Sequence, residues 1–421
     1  MKDSTRIAVV VFCGRRLYCM HMRSAPLLLL LAASPAFADD WPQWRGPQRN
    51  GISAETGWLE AWPEGGPPVA WRAEVGTGFS SFAVAGGRVL TLGNVDHVDT
   101  LFCLDAAKGT LLWKHSYPSD LGDRFFEGGP TSTPTVEGDR VYVLGRWGDA
   151  FCLEAATGKV RWSANVHKEA GVRTPGWGYA GSPLVHGDLV IFNVGEAGLA
   201  LEKATGKVRW KSADKDSGYS TPLPVKRGDA WIALLGSGAS YLAVDLATGR
   251  EAWRVKWVTQ YGCNAADPVV DGDRAFISTG YGRGGALLKM KDGDPDVAWQ
   301  NKALGTQMNS AVLVGGHLYG LDGDTGRGAD LKCVEFATGG EKWSVAGLGA
   351  GSLMAADGKL IVLSEKGELL LGPASPERFR PSARAQVIQG KCWTVPVLAN
   401  GRILVRSAEG EVVCLDVRKT K

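Results

Sequence analysis

The chain has 421 residues, with 47 basic and 44 acidic side chains, a formal charge of +3, and eight cysteines. Five bases (Lys2, Arg6, Arg15, Arg16, Arg23) and one acid (Asp3) lie in the first 38 residues, so a chain without them carries a formal −1. That balance gives no electrostatic footprint for nucleic acid. Cysteines without a C-x-x-C or an adjacent pair leave zinc and redox sites without support.

The N-terminal segment reads as a secretory leader. Arg23 precedes the apolar run Leu27–Leu31, and Ala36-Phe37-Ala38 supplies an A-x-A cleavage site before Asp39. The run is too short to cross a bilayer as a stable helix. Met1–His21 form an odd basic extension, so Met1, Met20 and Met22 are all candidate starts. No cysteine closely follows the cleavage site, so a lipid anchor has nothing to attach to. The expected location is periplasmic or secreted, after leader removal near Ala38.

Residues 39–68 follow as an irregular tail. WPQWRGPQRNG and AWPEGGPP resist regular structure. Trp41, Trp44, Trp58 and Trp62 nonetheless predict that the tail packs on something, across one face or the side of the main body. For Trp44-Arg45 a binding role stands beside the packing one.

From residue 69 onward one unit recurs. CLDAAKGTLLW (Cys103–Trp113), CLEAATGKVRW (Cys152–Trp162), ALEKATGKVRW (Ala200–Trp210), AVDLATGREAW (Ala243–Trp253) and CVEFATGGEKW (Cys333–Trp343) are copies, and a decayed one ends at Trp299. Spacing of this kind marks one supersecondary unit repeated. In each copy an apolar strand ends in an acid, a Gly turn follows, and a new strand carries the Trp. Upstream lies a second hairpin, such as TSTPTVEGDRVYVLG. Two hairpins make four antiparallel strands, the size of a propeller blade.

First hairpins begin near Ser80, Thr131, Ser182, Thr221, Ala266, Ser310, Ser352 and Thr394, which predicts eight blades. The eighth stops at VVCLDV, before any Trp strand, while VAWRAEV (Val69–Val75) has the Trp pattern and nothing before it to pair with. The expected fold is therefore all-β, an eight-bladed propeller over 69–421 closed by its N-terminal strand. Closure removes the free blade edges. The unit after Ser352 is the outlier: it lacks the acid, the Thr-Gly and the Trp. Cys103, Cys152, Cys333 and Cys414 fill one slot in different blades and read as small buried hydrophobes. The state of Cys263 and Cys392, in inter-blade loops, stays open.

The repeat A-x-D-x-x-T-G-x-x-x-W, best seen at Cys152–Trp162 and Ala243–Trp253, resembles the tryptophan-docking motif of pyrroloquinoline-quinone-type (PQQ-like) propellers. That family includes quinoprotein alcohol dehydrogenases and non-enzymatic BamB-type outer-membrane assembly propellers. The WPQWRGP tail also resembles a group of uncharacterised secreted repeat proteins. The resemblance implies a ring in which each Trp packs between neighbouring blades. It builds the scaffold in both branches, so it does not choose a function.

Functional groups should collect where loops enter the innermost strands. Those loops gather Phe79, Arg124, Trp177, Tyr179, Tyr219, Tyr261, Asn309, Lys391 and Trp393 as an expected ligand funnel. The resemblance implies that a dehydrogenase would hold calcium and PQQ through a Glu, an Asn and an Asp, with an Asp as base and usually an adjacent Cys-Cys disulfide. The disulfide is absent; Glu127, Asn264 and Asp267 are the funnel candidates. Asp267 stands where other units hold Thr133, Ser182 and Thr221, either as a base or as a cap on the turn before Pro268. The acidic runs at Asp292 and Asp322 lack the rest of a calcium loop, and the histidines have no metal-ligand spacing, so no metal site is expected. The leading expectation is an exported, monomeric, non-catalytic scaffold that contacts a protein or other ligand at the funnel or blade edges. The alternatives are a small PQQ-dependent oxidoreductase and a carbohydrate or polymer binder.

Overall fold

The structure, a computed structural model, describes residues 40–63 and 65–419. The expected leader and its cleavage site lie outside those residues. Among the described residues no helix is long and apolar enough to cross a membrane.

The architecture is all-β, an eight-bladed propeller of antiparallel sheets. Blades 1 to 6 each use four consecutive strands, over residues 83–118, 135–165, 184–211, 223–256, 269–301 and 312–345. Blade 7 (352–386) carries a fifth strand, because Ile52–Ser53 of the tail pairs in parallel with Ala355–Ala356. Blade 8 takes three strands from 397–416 and its outermost strand, Val69–Glu74, from the start of the domain. The expected closure is therefore present. First strands of neighbouring blades touch, which makes them the innermost.

The repeat motif fastens blade to blade. The Trp113 indole N–H donates to the Ala155 carbonyl of the next blade at 3.0 Å, and Trp162 does the same to Lys203 at 2.9 Å. Trp210, Trp299 and Trp343 continue the series to Leu246, Phe336 and Ser375. Trp71 completes it, donating from blade 8 to Ala106 of blade 1 at 3.0 Å. The motif Gly lies flat on the ring: a Cβ at Gly158 would sit 2.4 Å from Trp113, and one at Gly109 2.6 Å from Trp71. The acid and Thr of the motif bond each other, as Thr157 to Glu154 at 2.8 Å and Thr248 to Asp245 at 2.7 Å. A bulge precedes each Trp in blades 1 to 6 and at Trp71, turning it toward the neighbour. Burying one such indole contributes on the order of 4–6 kcal/mol of transfer free energy.

Blade 7 has Ala383 where others have Trp. The tail supplies the missing contact. The Leu59 amide donates at 2.5 Å to the carbonyl of Val417, the position in blade 8 that matches Ala106 and Ala155. Trp58, 2% exposed, packs in the core shared by blades 7 and 8.

Upstream, the tail crosses one mouth of the ring. Trp41 bridges Val84 of blade 1, and the Pro42 carbonyl accepts from Val136 of blade 2. Arg45 then donates to the Ala311 carbonyl of blade 6 at 2.8 Å. Blades 2 and 6 are opposite in an eight-fold ring, so the segment passes over the axis. All six cysteines of the described residues are buried free thiols, Cys263 and Cys392 included.

Candidate functional site

Close to the axis, each innermost strand leans on its neighbour through one side-chain oxygen. The Ser81 amide donates to Thr133 Oγ1, Thr133 to Ser182 Oγ, and Ser182 to Thr221 Oγ1. The Thr221 amide donates to Asp267 Oδ1 at 2.7 Å, and the Asp267 amide to Ser310 Oγ at 2.7 Å. Asp267 is thus the carboxylate in a belt of hydroxyls. Its carboxylate partner is the preceding blade, through Thr221, and not its own turn, so the turn-cap expectation is corrected.

The second Asp267 oxygen accepts the Trp44 indole N–H of the tail at 2.6 Å. Both oxygens accept from N–H groups, which is the geometry of an ionised carboxylate. Burial pushes the Asp267 carboxyl above its ordinary range, with Arg45, the Thr221 amide, Trp44 and Arg49 pulling the other way. Burial also lowers Arg45, and it lowers Arg49 to about 10; a guanidinium keeps its charge in a protein. The tail therefore brings two buried cations to one buried anion.

Above this floor opens a cavity of about 560 Å³. Trp44 and Asp267 line its base, and aromatic side chains form its wall. Trp177 meets Phe125, Tyr219 and Tyr261 at ring distances of 6.0, 5.7 and 5.9 Å. Tyr261 meets Tyr281 at 5.7 Å. Across the cup, Phe79 stacks on Trp393 at 5.2 Å and touches Phe126 at 5.5 Å. Tyr261 and Tyr281 hold φ of +66° and +57°, a region that costs a bulky residue about 1–3 kcal/mol.

Of the expected funnel residues, Phe79, Trp177, Tyr219, Tyr261, Asn309 and Trp393 line the cup. Tyr179 does not: it is 1% exposed within the core of blades 2 and 3. Arg124 is exposed, with its guanidinium over the Phe125 ring at 5.0 Å. Lys391 pairs with Glu127 and lies 4.4 Å from the Trp393 ring centre, and it does not line the cup. Trp44, expected in a packing or binding role, joins them at the base, whereas Phe125, Phe126, Tyr281, Gln307, Asp324 and Arg327 were not among the expected funnel residues. Tyr281, Asp324 and Arg327 sit on connections between the second and third strands of a blade. Those connections open on the same mouth as the loops entering the innermost strands, which is the signal that could have found them.

The three candidate quinone-and-calcium ligands do not fit that role. The Asn264 amide is fully buried and donates to Ser237 and Trp257 carbonyls at 2.8 and 3.0 Å, while its oxygen accepts from Thr279 at 3.0 Å. Glu127 is paired with Lys391, and Asp267 with Trp44 and the Thr221 amide. The Asn264 and Asp267 donor sets are committed to the fold, while Glu127 keeps Oε2 without a partner, and among the described residues no group of three His, Cys, Asp or Glu is placed to hold a metal.

The family model described as outer membrane protein assembly factor BamB matches residues 100–345. No curated protein matches the chain. The crystal structure of BamB from Moraxella catarrhalis shares the fold at 15% identity and TM-score 0.61, over 83% of this chain and 99% of that one. Quinohemoprotein alcohol dehydrogenase from Comamonas testosteroni shares it at 14% identity and TM-score 0.66, over 92% and 82%. A europium-containing methanol dehydrogenase does so at 11% identity and TM-score 0.67, over 88% and 90%. At these identities the likeness shows the fold alone.

Proposed function

From the premise that the chain belongs to the PQQ-like propeller family whose model is described as outer membrane protein assembly factor BamB, we propose that it is an exported, non-catalytic binding propeller that takes its ligand in the aromatic cup. The observation that carries this reading is the cup itself: about 560 Å³ of space, walled by aromatic rings, over a floor where Asp267 is bonded through both oxygens. A few fixed polar groups among apolar walls suit recognition. A general base needs an oxygen free to take a proton, and Asp267 has both engaged.

The test pairs two measurements on the mature protein. Screening of peptide and glycan panels by tryptophan fluorescence should find ligands whose signal disappears in Trp177→Ala. Dye reduction with added quinone and calcium should stay at background. Quinone-dependent turnover would overturn the reading.

The second reading, a small quinone-dependent oxidoreductase, draws support from the likeness to two dehydrogenases. The committed partners of Asn264 and Asp267 weigh against it.

A further inference from the structure

The cup does not end at its rim. A second cavity of about 580 Å³ lies beside it, and Tyr219 and Tyr261 line both. Each falls in the range of small-ligand sites, roughly 300–1,000 Å³. We propose that the two cavities form one extended site for an uncharged glycan, with sugar rings stacked on Trp177 and Tyr261 and the chain continuing past Tyr261 into the groove. This rests on the binding reading above and gives it a ligand class.

Charge selects the class. The ions of the groove neutralise one another: Arg173 with Asp216 at 3.5 Å and Lys215 with Glu196 at 3.1 Å. A charged polymer finds no unpaired partner among them. A sugar hydroxyl is both donor and acceptor, so it bonds to either sign.

The rings select it too. Tyr261 is 64% and Phe125 61% exposed, with Trp177 in contact with both. Open aromatic faces accept the C–H face of a pyranose while its hydroxyls turn outward. Tyr261 is held at positive φ, so the exposed ring is presented by a constrained backbone.

The groove adds a hydroxyl without a partner. Ser217 lines it at 2% exposure, and its Oγ bonds to nothing among the described residues. A buried hydroxyl left unbonded is a cost that a ligand hydroxyl removes. Gly176, Gly238 and Gly262 put bare main chain on the groove wall, where a ring can lie close. A polypeptide is less suited, because the backbone of Ser217 is already bridged to Ser237 and offers no free edge for strand addition.

The test titrates the mature full-length protein with neutral cello-, manno-, xylo- and laminari-oligosaccharides, dimer to hexamer, by calorimetry. At least one series should bind, with affinity rising along it. Tyr261→Gly, which suits the positive φ, should weaken hexamer binding roughly tenfold, the loss of one stacked ring. Tyr261→Phe should restore it, and Ser217→Ala should weaken the hexamer but not the dimer. Equal dimer and hexamer affinities, or no effect of Ser217→Ala, would remove the extended site. Failure of every sugar series would overturn the glycan. If neutral peptides then bound and were lost in Tyr261→Gly, the ligand class would be wrong and the binding reading would stand. Quinone-dependent dye reduction would instead remove the binding reading itself.

Discussion

The Trp44 indole meets the Asp267 carboxylate at 2.6 Å across 223 residues of chain. This contact joins the tail to the belt of innermost strands. It places a tail residue at the base of the cup and accounts for the one carboxylate among the belt hydroxyls. The tail is therefore part of the site as well as a covering for one mouth.

Asp267→Asn keeps one acceptor oxygen but turns its NH2 toward either the Thr221 amide or the Trp44 indole, so one buried N–H loses its partner. A group left unsatisfied in this way costs about 1–3 kcal/mol. Chemical denaturation should show that loss, and limited proteolysis should cut the tail earlier. The pH dependence has a definite sign. The folded carboxyl sits above its ordinary value of 3.8, so between those two points the native state binds more protons than the unfolded one. This site's contribution is therefore largest below the ordinary value and is lost as pH rises through the raised one. The stability gap between wild type and Asp267→Asn should widen as pH falls toward about 4. A gap that narrows on acidification would show that the assigned shift has the wrong direction.

The docking role of the motif can be separated from turn strain with two glycines. Gly158 (φ +73°) and Gly138 (φ +58°) both need positive φ. A Cβ at Gly158 meets Trp113 at 2.4 Å, whereas one at Gly138 meets nothing within 4 Å. Gly158→Ala should therefore destabilise by about 1–3 kcal/mol more than Gly138→Ala, the cost of overpacking. Equal losses would mean that the Trp113 contact carries no weight.

The ring was legible because its signals are local and repeated. Trp71 without a partner and Asp416 without a following Trp strand pointed to each other, and Val69–Glu74 pairs with Glu411–Asp416. The floor of the cup was not legible. Asp267 stood out in its slot, but nothing near Trp44 in sequence names a partner 223 residues away. Tyr179 was misplaced for a related reason: next to Trp177 in a Gly-rich loop, its burial depends on where Arg146 and blade 3 lie. The Tyr179 amide bonds to the Arg146 carbonyl at 2.8 Å, which turns the ring into the core. Tyr281 was missed because a Gly-rich hairpin tip looks alike whether it faces the funnel or solvent.

Asn264 separates structural from cation-binding readings. It is fully buried, with its amide and oxygen bonded to Ser237, Trp257 and Thr279. Asn264→Ala takes the donor from two buried carbonyls, at about 1–3 kcal/mol for each group left unsatisfied. Thermal unfolding should show a clear loss. Calcium should not raise the melting temperature of wild type; a calcium-dependent rise that Asn264→Ala abolishes would revive the quinoprotein reading.

Arg406 makes the last prediction, because it spans the closure of the ring. From blade 8 its guanidinium donates to the Gly76, Ser80 and Leu92 carbonyls and to Thr91 Oγ1 in blade 1 and the loop before it, at 2.7–3.0 Å. It is fully buried, and among the described residues no carboxylate pairs with it. Burial lowers its pKa to about 9, so it remains charged at neutral pH. Arg406→Met removes a donor from four acceptors, of which the Ser80 carbonyl keeps a bond from Thr91 Oγ1, and Arg406→Lys has too short a reach and too few donors to replace the fork. Each group left unsatisfied costs about 1–3 kcal/mol, so Arg406→Met should be among the most damaging single changes in the ring. Hydrogen exchange should locate the damage: amides of Val69–Glu74 and Glu411–Asp416 should lose protection first. The folded pKa is lowered, so below it both states hold the proton and no slope arises. Above it the unfolded state binds more protons, and this site's contribution rises toward alkaline pH. The gap between wild type and Arg406→Met should stay flat over about pH 6 to 8. A steep change there, or protection lost elsewhere in the ring first, would show that Arg406 is not what latches blade 8 to blade 1.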